Sequence, residues 1–144
     1  MSRRSGAEVD AVWQALVALV MDTRGDWRRG VSEATGLPFS RVRALRRIAK
    51  SPMTLRELAD AMGCDAPAAT VAVNDLEQRG LVERRADAED RRVKIVSVTA
   101  EGKRAMTAVR QVPDRAPEAI TGLPPRDVTE LVRILGPLVR GSGE

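Results

Sequence analysis

Arginine is the residue type whose number and placement in this sequence suggest what the chain binds. Lys and Arg total 24 against 20 Asp and Glu, which leaves a net charge of +4. The basic residues crowd into two stretches, one from Arg41 to Lys50 and one from Arg84 to Lys94. Clustered basic side chains bind polyanions, so the sequence favours a phosphate-bearing partner, although a charge of +4 alone is weak evidence.

The side chains on which most catalytic and metal sites depend are scarce. The chain has no histidine, which removes the commonest general base and the commonest metal ligand. It has no recognisable nucleophile–base pair, phosphate loop or ligand cluster, so we expect no enzyme, no metal site and no cofactor. With two Trp, one Phe and no Tyr, stacking on single-stranded nucleic acid is also disfavoured.

The composition favours one globular domain in the cytoplasm. An apolar content of 43% in 144 residues is enough for a packed core. The longest notable apolar run, residues 15–21, is much shorter than a bilayer requires, so no membrane association is expected. Residues 1–6 carry two arginines without the apolar segment of a signal peptide.

Apolar residues at helical spacing predict three helices in the first third of the chain. The first covers residues 8–22 and is stopped near Gly25. The second covers residues 26–35 and is ended by Gly36. The third begins at Pro38, whose missing N–H is not needed in a first turn.

Residues 54–80 are typical of a helix-turn-helix. Thr54 and Glu57 form a capping box that begins the first of two short helices, and Gly63 ends it. Asp65 then caps the second helix, which has a proline in its first turn. Two short helices joined by a glycine-containing turn are the layout of this motif.

The next segment predicts a β-hairpin that projects as a wing. Residues 81–85 and 93–99 resemble strands, and the polar residues between them are unsuited to burial. The register stays open, because apolar side chains mark both faces of the second strand. Thr99 is placed to cap a helix over residues 100–111, and the fold class is therefore mainly α with a small β-hairpin (α+β).

Prolines interrupt the last part of the chain. Pro113 and Pro117 are expected to end the helix that precedes them. A final helix is predicted over residues 126–139, with apolar side chains at core spacing. We expect Gly136–Pro137 to kink or fray it.

Three motifs in order along the chain resemble the MarR family, the multiple antibiotic resistance regulators. The recognition helix ends in Leu-Glu-Gln-Arg-Gly-Leu-Val from Leu76, the wing contains Asp-Ala-Glu-Asp-Arg-Arg from Asp87, and the next helix begins Val-Thr-Ala-Glu-Gly from Val98. The segment from Leu123 to Leu138 is similar to the family's last helix. Pro113 and Pro117 depart from the family, which often keeps a long helix there.

The resemblance implies a single MarR-type domain over residues 1–144. It implies a winged helix-turn-helix DNA-binding region at 38–99 and helical dimerisation regions at 7–36 and 100–144. The partners implied are a second copy of the chain, double-stranded DNA with a near-palindromic operator, and a small-molecule effector. We therefore predict a sequence-specific transcriptional regulator, a repressor released by a ligand.

A protein–protein interaction module that has the winged helix but does not read DNA is the alternative function. Acidic residues dilute the positive face, and this observation keeps the alternative open. They are Asp75, Glu77, Glu83, Asp87, Glu89 and Asp90.

The predicted interface begins on the exposed face of the recognition helix. Its buried face is expected to carry Ala69, Val73 and Leu76. Because the N-terminal part of such a helix enters the major groove, four residues are candidates for base edges: Pro67, Ala68, Thr70 and Val71. Asn74 is expected to pair with adenine or to hold a phosphate, and the helix N-terminus at Thr54 to meet a phosphate.

The wing supplies the second part of the predicted interface. The resemblance places Arg92 at the tip, where a guanidinium enters the minor groove because negative potential is concentrated there. Arg91 lies beside it, and Asp90 is expected to pair with an arginine and hold the loop. Arg84 and Arg85 are expected to face phosphates; alternatively, one of them pairs with Glu83 or Asp87.

Two further features favour structural interpretations. The cluster from Arg41 to Arg47 is more simply a solvated helix face. Cys64 is the only cysteine, and some members of the resembled family sense peroxides through a thiol. Asp65 beside it disfavours the thiolate while a nearby helix start favours it, and we interpret Cys64 as structural.

Overall fold

The computed structural model describes residues 6–141, which divide into two compact units, one ending at Pro113 and one beginning at Asp114. The first unit contains α1 (Gly6–Thr23), α2 (Gly25–Thr35), α3 (Phe39–Lys50), β1 (Met53–Thr54), α4 (Leu55–Met62), α5 (Ala66–Gln78), β2 (Val82–Ala86), β3 (Lys94–Val98) and α6 (Ala100–Gln111). The second contains α7 (Glu118–Thr121) and α8 (Pro125–Gly141). The predicted fold class is confirmed.

The helix boundaries in the first unit follow the predicted caps with two exceptions. Gly36 ends α2 in the left-handed region at φ 69°, as glycine at this position allows. Gly25 does not stop α1 and instead begins α2. The break falls at Arg24, whose φ of −88° and ψ of −5° barely leave the helical region, so no left-handed residue is needed. Pro38 precedes α3 as its N-cap rather than lying in its first turn.

The core of the first unit joins both helices of the helix-turn-helix to their neighbours. Leu45 of α3, Leu58 of α4 and Leu76 of α5 are fully buried in one apolar cluster, to which β3 contributes Val96. Ala69 and Val73 are also fully buried, which confirms the predicted inner face of α5. The opposite face of α5 is consequently fixed toward solvent.

The sheet has three antiparallel strands in the order β1-β3-β2, one more than the predicted hairpin. β1 pairs with β3 through Met53 opposite Val96 and Thr54 opposite Ile95. In the wing, Arg84 lies opposite Val96. Side chains alternate between the two faces of a strand. Val96 therefore points into the core, and its neighbours Ile95 and Ser97 lie on the other face and are more exposed.

Hydrogen bonds around Thr99 fix the base of the wing. Its N–H donates to the carbonyl of Leu81 at 3.0 Å, and its hydroxyl donates to the carbonyl of Gly80 at 2.6 Å. The same hydroxyl oxygen accepts the N–H of Gly102 at 3.1 Å, which caps α6 as predicted. Thr99 thus holds together the residues that follow α5, the end of β3 and the start of α6.

The second unit consists of a short helix and a long one. α6 has already ended at Gln111 before Pro113, and Pro117 precedes α7 as its N-cap, in agreement with the predicted interruption. α8 continues through Gly136–Pro137 to Gly141, so the expected fraying is wrong. Within residues 6–141, no helix combines the length and apolarity that crossing a membrane requires.

Candidate nucleic-acid interface

Side-chain caps set the start of both helices in the helix-turn-helix. Thr54 accepts the N–H of Glu57 at 3.1 Å at the start of α4, while its backbone belongs to β1. Asp65 accepts the N–H of Ala68 at 2.8 Å at the start of α5. Between them Gly63 makes the turn at φ 64°. These bonds satisfy N–H groups that a helix start leaves without a partner.

The outer face of α5 is mostly apolar at its N-terminal end. Pro67, Ala68 and Val71 are exposed, and Val71 keeps 58% of its surface accessible. Thr70 is half-buried and its hydroxyl donates to the carbonyl of Ala66 at 2.9 Å, so only its oxygen lone pairs remain available. The four base-edge candidates therefore present small apolar groups and one acceptor.

Asn74 and Arg84 contact each other across the junction of α5 and β2. Arg84 donates from Nη2 to Oδ1 of Asn74, and its Nε lies 3.5 Å from Oε2 of Glu77. Arg84 is thus half-buried against α5, and its acidic partner is Glu77 rather than either residue named from the sequence. Nothing in the sequence pattern signals this pair, because it depends on how β2 packs on the helix.

Arg85 points away from α5 and remains largely exposed. Its guanidinium pairs with Glu83 at 2.9 Å, one of the two partners considered from the sequence. Exposed ion pairs of this kind contribute little to stability and exchange readily. Arg85 is therefore available to a phosphate at small cost.

Turn hydrogen bonds shape the tip of the wing. Asp90 accepts the backbone N–H of Arg92 at 3.1 Å, and the carbonyl of Asp90 accepts the N–H of Val93 at 3.0 Å. The expectation that Asp90 pairs with an arginine side chain is wrong. An aspartate bonds readily to the amide two residues ahead, and this bond already shapes the turn. Within residues 6–141, neither Arg91 nor Arg92 forms an ion pair, and both are exposed.

An ion-pair network that the sequence did not predict joins α3 to α5. Asp75 pairs with Arg41 and with Arg79, each at 2.9 Å, and Nη1 of Arg79 donates to the carbonyl of Gly36 at 3.3 Å. Hydrogen bonds from Arg79 and then Arg41 hold the pKa of Asp75 below its ordinary value of 3.8. Arg41 is thus a structural residue, whereas Arg43, Arg46 and Lys50 lie exposed on α3, as expected of a solvated face.

Replacing Asp75 with asparagine is expected to lower the thermal unfolding midpoint at pH 7. A carboxylate with a depressed pKa stabilises the folded state above its unfolded pKa, and that contribution is lost as the pH falls through the lower folded pKa. The difference between wild type and variant should therefore be largest above about pH 3.8 and shrink as the pH falls below it. Asp60→Asn, an exposed position on α4, removes the same charge as a control. A midpoint difference as large at low pH as at pH 7 would contradict this explanation.

Two further observations concern the single cysteine and the side chains that bind metal ions. Cys64 is half-buried in the turn between α4 and α5, and its thiol is free. Among residues 6–141, His, Cys, Asp and Glu form no group of three or more that could hold a metal ion.

The chain is similar to one protein family and to several solved structures. Residues 35–93 match the model of the MarR family. No protein of curated function matched the chain.

Three solved structures share the fold, at sequence identities near 20%. RV1404 from Mycobacterium tuberculosis aligns with a TM-score of 0.78 and 21% identity, over 99% of this chain and 97% of that one. The transcriptional regulator BldR from Sulfolobus solfataricus aligns with a TM-score of 0.70 and 21% identity, over 95% and 98%. A cysteine-to-serine mutant of MarR from E. coli, complexed with operator DNA, aligns with a TM-score of 0.64 and 18% identity, over 94% and 98%.

The family match covers the helix-turn-helix and most of the wing, and the shared fold extends over nearly the whole chain. Residues 35–93 are therefore similar to the MarR family, and the chain shares the winged-helix fold of these solved structures.

Proposed function

We propose that this protein is a cytoplasmic, dimeric repressor that binds an inverted-repeat operator in double-stranded DNA and is released by a small-molecule effector. The observation that carries the proposal is the outer face of α5, which lies free of the core beside a wing whose tip carries two exposed arginines. This pairing suits a duplex, because a helix fits the major groove while an arginine fits the adjacent minor groove.

The recognition helix is proposed to read bases through its first two turns. Pro67, Ala68 and Val71 suit contact with thymine methyl groups, and Thr70 offers an acceptor to a base amino group. Asn74 lies on the same face two turns beyond Pro67, and it is proposed to contact a base or a phosphate.

The wing and the start of α4 are proposed to bind the backbone and the minor groove. Arg92 enters the minor groove, with Arg91 beside it, and Arg85 and the α4 N-terminus at Thr54 meet phosphates. Arg84 contributes indirectly, since its guanidinium is engaged with α5. Residues 38–99 would then form the DNA-binding region.

Dimerisation is proposed to use residues 7–36 and 100–144. Two helices carry large apolar side chains that are mostly exposed, and apolar patches of this kind mark interaction surfaces. On α1 they are Val9, Val12, Trp13, Val20 and Met21; on α8 they are Val128, Val132, Ile134, Leu138 and Val139. A second copy of the chain covering both faces would pair two recognition helices with two half-sites.

The repressor mode and the effector are supported by the resemblance to the MarR family. An effector can loosen DNA binding only if it binds the DNA-free arrangement more tightly than the bound one. A protein of this kind therefore responds to its effector by a measurable fall in operator affinity.

The proposal is tested by DNA binding of the wild type and of Arg92→Ala. Gel shifts on the promoter region of its own gene should reveal a specific band. Its site should contain half-sites spaced by about one helical turn, and its affinity should fall steeply with added salt. Arg92→Ala should weaken that binding about 10- to 100-fold, because a guanidinium is lost from the minor groove.

A matched control removes an arginine elsewhere. Arg104→Ala deletes an exposed guanidinium on α6 that pairs with Glu101. It should change the affinity for the operator by less than about threefold. Absence of a specific, salt-sensitive band for the wild type would refute the proposal and leave the protein-binding module as the explanation of the fold.

A further inference from the structure

Asn74, Glu77 and Arg84 form a polar chain between α5 and β2, here called the Asn74 clamp. Arg84 donates to Oδ1 of Asn74, and Glu77 lies on the other side of the same guanidinium, 3.5 Å from its Nε. Only 24% of the Arg84 side chain is exposed, whereas Asn74 is exposed. Glu77 thus neutralises Arg84 and helps to hold its guanidinium on the amide of Asn74.

Hydrogen-bond chemistry fixes which end of the Asn74 amide faces Arg84. A guanidinium carries only N–H donors, so the amide atom that it meets must be the oxygen and not the NH2 group. The NH2 group then lies on the other side of the same planar amide. Asn74 shares its helix face with Pro67 and Val71, at intervals of seven and three residues. The clamp therefore leaves Asn74 with two free donors and an oxygen that has one lone pair left, next to the positive charge of Arg84.

We propose that the clamp makes Asn74 read DNA through its NH2 donors, so that it selects an acceptor base edge and discriminates against adenine. This inference rests on the proposed DNA binding. An unrestrained asparagine pairs with adenine by accepting from N6 while donating to N7. In the clamp, N6 would have to share Oδ1 with a positively charged donor. Guanine O6 and N7, thymine O4 and phosphate oxygens make no such demand, since they only accept.

The clamp also strengthens the donor that it leaves free. A charged group that donates to the amide oxygen draws electron density away from the amide nitrogen, and hydrogen bonds in such a chain reinforce one another. Arg84, Asn74 and the acceptor on DNA would form one chain of this kind, with the Glu77 carboxylate held beside Arg84 as an ion pair and not by a hydrogen bond. Arg84 is thus a positioning residue, and Asn74 is the group that touches DNA.

The test begins with selection of bound duplexes from a random library by the wild type, Asn74→Asp and Asn74→Ala. The position at which Asn74→Ala changes the selected base is the position that depends on Asn74. Asn74→Asp keeps an oxygen for Arg84 but has no donor, so it should lose about tenfold or more in affinity for the wild-type site. Gln78→Glu makes the same amide-to-acid change one turn further along α5, outside the clamp. It should cost only the general repulsion from phosphates, which added salt screens.

The base selected at the position that depends on Asn74 decides the proposal. Guanine or thymine at that position in the wild-type site supports it. A loss of affinity by Asn74→Asp that is equal on every sequence would place the donor on a phosphate and overturn the discrimination against adenine. Adenine at that position, or Asn74→Asp binding as tightly as the wild type, would overturn it. Failure of the wild type to select any motif would refute the proposed function instead.

Arg84→Met provides an independent check on the clamp. Methionine keeps the apolar length of the side chain but releases the amide, so adenine should become acceptable at the position that Asn74 reads. The thermal unfolding midpoint verifies that the variant is folded. An unchanged base preference in a folded Arg84→Met protein would show that the clamp does not set the specificity.

Discussion

Replacing Gly102 with alanine is expected to lower the free energy of unfolding by about 3 kcal/mol or more. A Cβ at this position would lie 2.2 Å from the carbonyl oxygen of Leu81 and 2.5 Å from Cγ2 of Val98. The valine methyl can move aside. The carbonyl cannot, because Leu81 O accepts the N–H of Thr99 and belongs to the backbone at the base of the wing. The wing or the first turn of α6 must therefore shift.

Urea or thermal denaturation followed by circular dichroism measures this effect. Gly25→Ala is the matched control, because its added Cβ would meet nothing closer than Nη1 of Arg29 at 3.6 Å. In a helix, alanine is favoured over glycine by up to about 1 kcal/mol, so the control should be neutral or slightly stabilising. Equal unfolding midpoints for wild type and Gly102→Ala would mean that the approach of α6 to Leu81 is looser than described.

Replacing Trp13 with glutamate is expected to produce a monomer and to weaken operator binding by about 100-fold or more. Trp13 keeps 66% of its surface exposed on α1, among the largest apolar side chains of the proposed dimer face. Burying a carboxylate at that interface without a partner is costly. A monomer loses the gain that comes from binding two linked half-sites at once, and this gain is commonly 10²- to 10⁴-fold.

Light scattering coupled to size-exclusion chromatography reports the oligomeric state, and a gel shift reports the affinity. Gln14→Glu adds the same charge at the next position, where the side chain is already polar and exposed, and it should remain dimeric. A Trp13→Glu protein that stays dimeric and binds DNA normally would exclude this part of α1 from the interface.

Local chemistry explains why much of the helix-turn-helix was predictable. The caps at Thr54, Asp65 and Thr99 use hydrogen bonds to residues three positions ahead, so both partners are visible in the sequence. The buried face of α5 was predictable for the same reason, because helical spacing places Ala69 and Val73 together. These features fix where the recognition helix begins and which side it exposes.

Features that depend on tertiary packing were not predictable. β1 has two residues, too few to show alternation, and it exists because β3 lies beside it. Long charged side chains have several partners within reach, and packing decides among them. Thus Arg84 pairs with Glu77 across the α5–β2 junction, and Asp75 holds both Arg41 and Arg79.

The error at Asp90 had a different cause. The sequence offers arginines on both sides of the wing tip, which made a carboxylate–guanidinium pair the natural expectation. The carboxylate instead accepts the backbone amide of Arg92, a bond that needs no long side chain to be ordered. Among the described residues, 6–141, neither arginine at the tip forms an ion pair.

The tip of the wing is shaped by its own backbone and by short turn-forming side chains, and residues 88–92 bury nothing in the core. Substitutions at Ala88, Glu89, Arg91 or Arg92 should therefore accumulate without loss of folding. Under the proposed DNA binding, changes at these positions would alter what the wing recognises, while the scaffold that presents them is inherited unchanged.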